Sequence, residues 1–148
     1  MAAKKMGKKA VSCTHGGHGE PVKLGINEAH VQKILAKATK PLSAYDIIPL
    51  LAKLVGHAVA PTTIYRALQG LEQKGIVTRI ESRNAYTLCR HPHENHDCLF
   101  FICRQCGAAT EAPDNTVSQL LRKEAGKLGF GINRQILEVV GLCKRCAA

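Results

Sequence analysis

Apolar residues recur at helical spacing from Ile26 onward: Val31, Ile34, Leu35 and Ala38 share one side of a helix that Asn27 is placed to cap. A second helix is predicted to open at Ser43, whose hydroxyl suits a cap position with Asp46 three residues on, and Ile47, Leu50, Leu51 and Leu54 form its stripe. Pro49 lies inside that run and is expected to kink it or delay its regular part, because proline lacks the backbone donor and crowds the preceding turn. The third helix has the clearest signals. Pro61 suits a first helical position, Ile64, Ala67, Leu68 and Leu71 make the buried stripe, and Gly75 can end the helix. Its opposite side reads Thr62, Tyr65, Arg66 and Gln69. Two short extended runs follow, 76–81 and 85–89, joined by Ser82, Arg83 and Asn84, which predicts a hairpin. Three helices and a hairpin form the pattern of a winged helix-turn-helix.

Beyond Cys89 the pattern changes. A polar, His-rich stretch, RHPHENHD, leads into CLFFIC, which reads as a buried strand; a helix follows with Val117, Leu120, Leu121 and Leu128 on one face, and then a strand over 131–140. The expected class is therefore α+β: a flexible basic tail (1–22), a winged helix-turn-helix unit (23–89) and a small α/β unit (90–148). The last unit has only about 59 residues, too few for a core to hold alone, so it calls for a metal or a partner subunit.

Charge assigns the two halves different work. Residues 1–89 carry 13 Lys and Arg against 5 acids, whereas 90–148 carry 8 against 6, which places a polyanion-binding surface in the first part of a chain with formal charge +10. No run approaches the roughly 18 apolar residues of a membrane span, and the basic start is followed by polar residues, so a cytoplasmic protein is expected. In such a compartment seven cysteines read as metal ligands or core thiols rather than as a disulfide framework.

The most specific motif is the pair Cys103-x-x-Cys106 and Cys143-x-x-Cys146, because each turn aims two thiolates at one ion and two turns fill four tetrahedral positions. The 36 residues between the pairs can be filled by a helix and a strand. One structural zinc per protomer is expected there, worth on the order of 10 kcal/mol to folding. A second, mixed cluster comprises Cys89, His91, His93, His96 and Glu111; it suits an exchangeable regulatory zinc, at least one per protomer, and equally reads as a solvated polar loop. Cys98, inside CLFFIC, is expected to be a packed core thiol, and Cys13, His15 and His18 an accessory chelator or an inert leader. For DNA, the exposed face Thr62, Thr63, Tyr65, Arg66 and Gln69 offers hydroxyls to phosphate, a guanidinium to guanine and a ring to thymine, with Tyr45 and Lys23 as backbone contacts.

The stretch APTTIYRALQGLEQKGIVTRIESRNAYTLC, the His-bearing loop, FICRQCGAATE and GLCKRC together resemble the ferric uptake regulator superfamily, in particular its zinc uptake regulator branch, from about Ile26 to Cys146. The resemblance implies a homodimer on double-stranded palindromic operator DNA, with Cys103, Cys106, Cys143 and Cys146 holding structural zinc. It implies Cys89, His96 and Glu111 as sensing ligands, and Tyr65 and Arg66 as DNA contacts. Many members of the branch place a sensing histidine where this chain has Thr78, so His91 or His93 is the candidate fourth ligand. The implied function is zinc-responsive repression of zinc-uptake genes, without membrane or small-molecule substrate and without enzymatic activity. The alternatives are a redox- or other-metal-sensing repressor of the same fold and a constitutive DNA-binding zinc protein. An enzyme using Cys89 as nucleophile would need an oxyanion-hole motif, which is not found in the sequence.

Overall fold

The computed structural model describes residues 22–89, 97–112 and 116–147. Three helices come first: α1 (Ile26–Lys37), α2 (Ala44–Val55) and α3 (Pro61–Gln73), followed by a hairpin of β1 (Val77–Ile80) and β2 (Ala85–Leu88) around a short 3-10 turn at Glu81–Arg83. After residue 97 come β3 (Cys98–Cys103), β4 (Ala109–Ala112), α4 (Thr116–Lys127) and β5 (Ile136–Gly141). The overall class is α+β, as the sequence predicts.

Local chemistry explains the helix boundaries. Ser43 caps α2, its hydroxyl accepting from Asp46 N–H at 3.2 Å while the Asp46 carboxylate accepts from Ser43 N–H at 2.9 Å. Pro49 does not interrupt α2, which is continuous from Ala44 to Val55. The side chains of Ile47 and Leu51 are buried, whereas Leu50 and Leu54 of the expected stripe are exposed. At the end of α3, Gly75 takes φ +68°, its N–H reaching Glu72 O at 3.0 Å and Ile76 N–H reaching Leu71 O at 2.9 Å, the paired bonds of a left-handed helix stop. Ile64, Ala67, Leu68 and Leu71 are all buried against Val31, Leu35, Ile47 and Leu51.

The cap of α1 differs from the expected Asn27. Gly25 caps the helix, and Glu28 reaches back to accept from Gly25 N–H at 2.7 Å while also bonding the Lys74 ammonium at the end of α3. Gly70 makes this possible, because a methyl group there would overlap the Glu28 carboxylate. The Lys74 bond holds the Glu28 carboxyl below the usual carboxylate range. Glu28→Gln is expected to destabilise the protein by about 1–2 kcal/mol at pH 7, measured by urea unfolding. Because the folded-state pKa is lowered, this contribution is present above the unfolded value of about 4.3 and fades as pH falls through the lower folded value, so mutant and wild type should converge in acid.

The hairpin pairs Val77 with Leu88 through Ile80 with Ala85, and Leu42 adds a bridge to Tyr86 from the α1–α2 connection. Asn84 turns the chain at φ +46°, a conformation that asparagine tolerates. The second sheet has the order β4-β3-β5, with β4 antiparallel and β5 parallel to β3. β4 was not expected from the sequence, and β5 begins at Ile136 rather than at 131.

α4 carries the apolar face that the sequence places there. The expected apolar face is exposed, Leu120 at 58% and Leu128 at 83%, and the buried residues are Ser118 and Ala125. Polar anchoring dictates this: Gln135 Nε2 donates to Ser118 Oγ at 3.0 Å in a buried bond, and Arg122 grips Asp97 at 2.9 Å. Ser118, Arg122 and Ala125 lie on one helical face at i, i+4 and i+7, so these anchors turn the leucines outward.

The hairpin turn docks on the second sheet. Ile80 is packed with Cys98, Phe100 and Ile102. Glu138 on β5 accepts from the N–H groups of Glu81 and Ser82 at 2.6 and 3.0 Å, and Arg83 donates to Cys103 O at 2.6 Å.

Candidate functional site

The parallel pairing of β3 and β5 assembles the four-cysteine cluster. Cys103 lies in register with Gly141, and Arg104 N–H donates to Gly141 O at 2.9 Å, so both strands release their C-x-x-C turns at the same end of the sheet. In the first turn Gly107 N–H bonds Cys103 O at 3.0 Å with Gly107 at φ +76°; in the second, Cys146 N–H bonds Cys143 O at 2.9 Å. The sulfurs of Cys103, Cys106, Cys143 and Cys146 all lie within 4.8 Å of one another, and Cys106 Sγ stands 3.8 Å from Cys143 Sγ. A tetrahedral ion with bonds of about 2.3 Å needs sulfurs about 3.8 Å apart. The residues therefore fit a closed zinc site.

The electrostatics agree with that fit. Backbone N–H groups of Cys106 and Cys143 hold the Cys103 thiol down, to about 5, and the N–H of Cys146 lowers Cys143. Sharing with Cys143 pushes Cys146 up to about 12. Arg145 stands beside Cys106 and Cys143 as a fixed positive charge.

A second cluster forms where the hairpin meets the sheet. Cys89 Sγ, Cys98 Sγ and a Glu111 carboxylate oxygen lie within 4.8 Å of one another. The structure thus joins two of the expected sensing residues, Cys89 and Glu111, and adds Cys98, which sequence reasoning placed only in the core. The Cys89 thiol and burial both raise the Cys98 pKa. Thr78 is 1% exposed and lines a cavity with Cys89 and Cys98. His91, His93 and His96 lie outside the described residues, as do Cys13, His15 and His18.

The proposed nucleic-acid face is one side of α3. Thr62, Tyr65, Arg66 and Gln69 are exposed, Tyr65 at 42%, opposite the buried stripe. Thr63 is half-buried and, with Arg66, borders a cleft at Asn27 and Glu28. Tyr45 projects from the first turn of α2 at 72% exposure, and Lys23 is exposed ahead of α1.

Leu120, Leu121, Leu128 and Phe130 are exposed, as are Val139 and Val140 on β5. β5 is an edge of its sheet. No helix among the described residues is long and apolar enough to cross a membrane.

Comparison with known proteins adds the following. The family model for the ferric uptake regulator family matches residues 21–140. The zinc uptake regulation protein of Escherichia coli (strain K12) is 34% identical over 126 residues, covering 84% of this chain and 73% of that protein. The ferric uptake regulation protein of Neisseria meningitidis serogroup B is 33% identical over 114 residues, covering 75% of this chain and 76% of its own. Among solved structures, a zinc uptake regulator complexed with zinc and DNA superimposes with TM-score 0.79 at 33% identity, covering 85% of this chain and 84% of that one. The crystal structure of holo XcZur gives TM-score 0.73 at 41% identity, covering 84% and 86%.

Proposed function

The chain belongs to the ferric uptake regulator family, and from that premise we propose a zinc-responsive transcriptional repressor that binds operator DNA as a homodimer and controls zinc-uptake genes. One observation carries the reading: Cys89, at the end of the hairpin, lies within 4.8 Å of Glu111 on β4, apart from the closed four-cysteine group. One cluster thus serves folding, and the other joins the two halves of the chain. Relatives named for zinc uptake regulation, and a similar structure with zinc and DNA, support zinc as the signal.

In this reading residues 1–22 form a basic tail, 23–89 a winged-helix DNA-binding domain and 90–148 the dimerisation and metal-binding domain. Cys103, Cys106, Cys143 and Cys146 hold one structural zinc per protomer. Cys89, His96 and Glu111, with His91 or His93, hold the regulatory one. Zinc, when bound, supplies a tetrahedral tie between segments and no redox chemistry of its own. Cys89 is continuous through the hairpin with α3, so holding Cys89 against Glu111 fixes the direction in which Arg66 and Tyr65 are presented. Two α3 helices must then sit one operator spacing apart, which the exposed apolar residues of α4 and the free edge of β5 favour by offering a surface for a second copy. Thr62, Thr63, Gln69 and Tyr45 flank the base-reading residues and suit phosphate contacts. The reading contains no catalytic step, and acting on DNA gives it a cytoplasmic setting.

The test is operator affinity in buffered zinc, using a duplex selected by the zinc-loaded protein from a random library. Zinc should tighten binding roughly 5- to 150-fold, and Cys89→Ser should abolish that gain while native mass spectrometry still counts the tight ion. Zinc-independent affinity in the wild type would instead make this a constitutive DNA-binding protein.

A further inference from the structure

The geometry points to Cys98 as a direct metal ligand, a second thiolate beside Cys89 and Glu111 at the junction of hairpin and sheet that takes the fourth position assigned above to His91 or His93; the inference rests on the regulatory reading above. Burial of Cys98, at 3% exposure, is what a core thiol would show. Its neighbours are not those of a core thiol. Its sulfur lies within 4.8 Å of both the Cys89 sulfur and a Glu111 carboxylate oxygen, three ligand atoms from three separate segments. On one tetrahedral ion, with bonds of about 2.0–2.3 Å, such atoms sit about 3.4–3.8 Å apart. Closing the set needs a contraction of at most roughly 1.4 Å.

Strand register makes the arrangement structural rather than incidental. β3 and β4 pair Phe100 with Glu111, and side chains alternate along a strand, so Cys98, two positions before Phe100, shares the face of Glu111. The diagonal between them is one that a glutamate side chain can span. Cys98 N–H is tied to Gln135 O at 3.1 Å, which fixes the start of β3, and Cys89 N–H is tied to Ile76 O at 2.9 Å, which fixes the end of the hairpin. Thr78, Cys89 and Cys98 border one cavity of about 430 Å3, and Arg134 lines it too. Two thiolates and a carboxylate around a divalent ion leave one net negative charge, which that guanidinium is placed to offset.

The consequence is selectivity. A threonine hydroxyl is a poor zinc donor, so the hairpin contributes Cys89, and the sheet supplies the second sulfur. Two thiolates make the site soft, favouring zinc and cadmium over the iron and manganese that prefer nitrogen and oxygen donors.

Cobalt and cadmium count the sulfurs. With zinc left in the tight site, full-length protein is titrated with Co2+, and the sulfur-to-cobalt charge-transfer band of the second site is compared among wild type, Cys98→Ala and Cys89→Ser. Each variant should show about half the wild-type intensity and bind cobalt at least roughly 10-fold more weakly, since even indirect partners of a metal site cost that much. A band and affinity unchanged in Cys98→Ala but reduced in Cys89→Ser would make Cys98 a core thiol and leave the regulatory reading intact. No second cobalt in the wild type would overturn both. Because Cys98→Ala leaves a core gap, the unmodified protein provides the second measurement: 113Cd bound at the second site should show scalar coupling to the Cβ protons of Cys98 as well as Cys89. Coupling to Cys89 alone overturns the inference.

Discussion

Replacing Cys103 or Cys143 with serine is expected to strip the tightly held ion and unfold the segment from residue 97 onward, while the helices of 23–89 keep their signal. The strands β3 and β5 end at these turns, and the core beneath them is small: Ile80, Cys98, Phe100 and Ile102, with Ala109 and Ile136 packed alongside. A core of that size rarely supplies more than about 3–5 kcal/mol, whereas structural zinc is worth on the order of 10 kcal/mol. Loss of the ion should therefore lower the melting temperature of this segment by at least roughly 15 °C. Calorimetry resolves the two parts of the chain, and, on the homodimer reading proposed above, sedimentation should show a monomer. A variant that lost the ion yet melted as wild type would make the four thiols redundant to folding. Serine at Cys103 keeps the backbone bonds to Ala108 and Arg83, so the change tests the sulfur itself.

Arg66→Ala is expected to weaken operator binding by about 1–3 kcal/mol per half-site, or roughly 5- to 150-fold, without a measurable change in stability. Arg66 is exposed on α3, away from the buried stripe, so its removal leaves the core intact. Arg66→Lys separates two roles. A guanidinium that reads guanine through two parallel bonds is not replaced by an ammonium, so lysine should lose specificity while keeping the salt dependence. If lysine restores full affinity and alanine lowers only the salt slope, by about one, Arg66 contacts phosphate and base reading lies with its neighbours. Competition with duplexes altered at single positions makes the distinction.

Much of this protein is legible because the signals are local. The α3 stripe, Pro61, the Ser43–Asp46 cap, the Gly75 stop and the two C-x-x-C turns each act within a few residues, and the structure has all of them. The cap of α1 is local too, Gly25 with Glu28 three residues on, but a glycine carries no side chain to announce it, and the Lys74 contact that adds to it lies 46 residues from Glu28. The four residues of β4, Ala-Thr-Glu-Ala, carry no strong alternation, and they become a strand by pairing with β3. The apolar face of α4 is legible from its spacing, whereas its outward direction is decided by distant polar partners, the buried Ser118–Gln135 bond and the exposed Arg122–Asp97 pair.

The two clusters divide along the same line. Four cysteines in two C-x-x-C turns declare themselves, since the spacing within each turn fixes how two thiolates point. By itself the sequence determined the helical half, the hairpin and the two C-x-x-C turns that gather four thiols. Only the tertiary structure decided that Cys98 leaves the anonymity of a core strand to stand beside Cys89 and Glu111, because that meeting depends on the β3–β4 register and on the docking of the hairpin turn through Glu138 and Arg83. Contacts between segments far apart in sequence are chosen by the packing of whole elements, and no short window of residues encodes them.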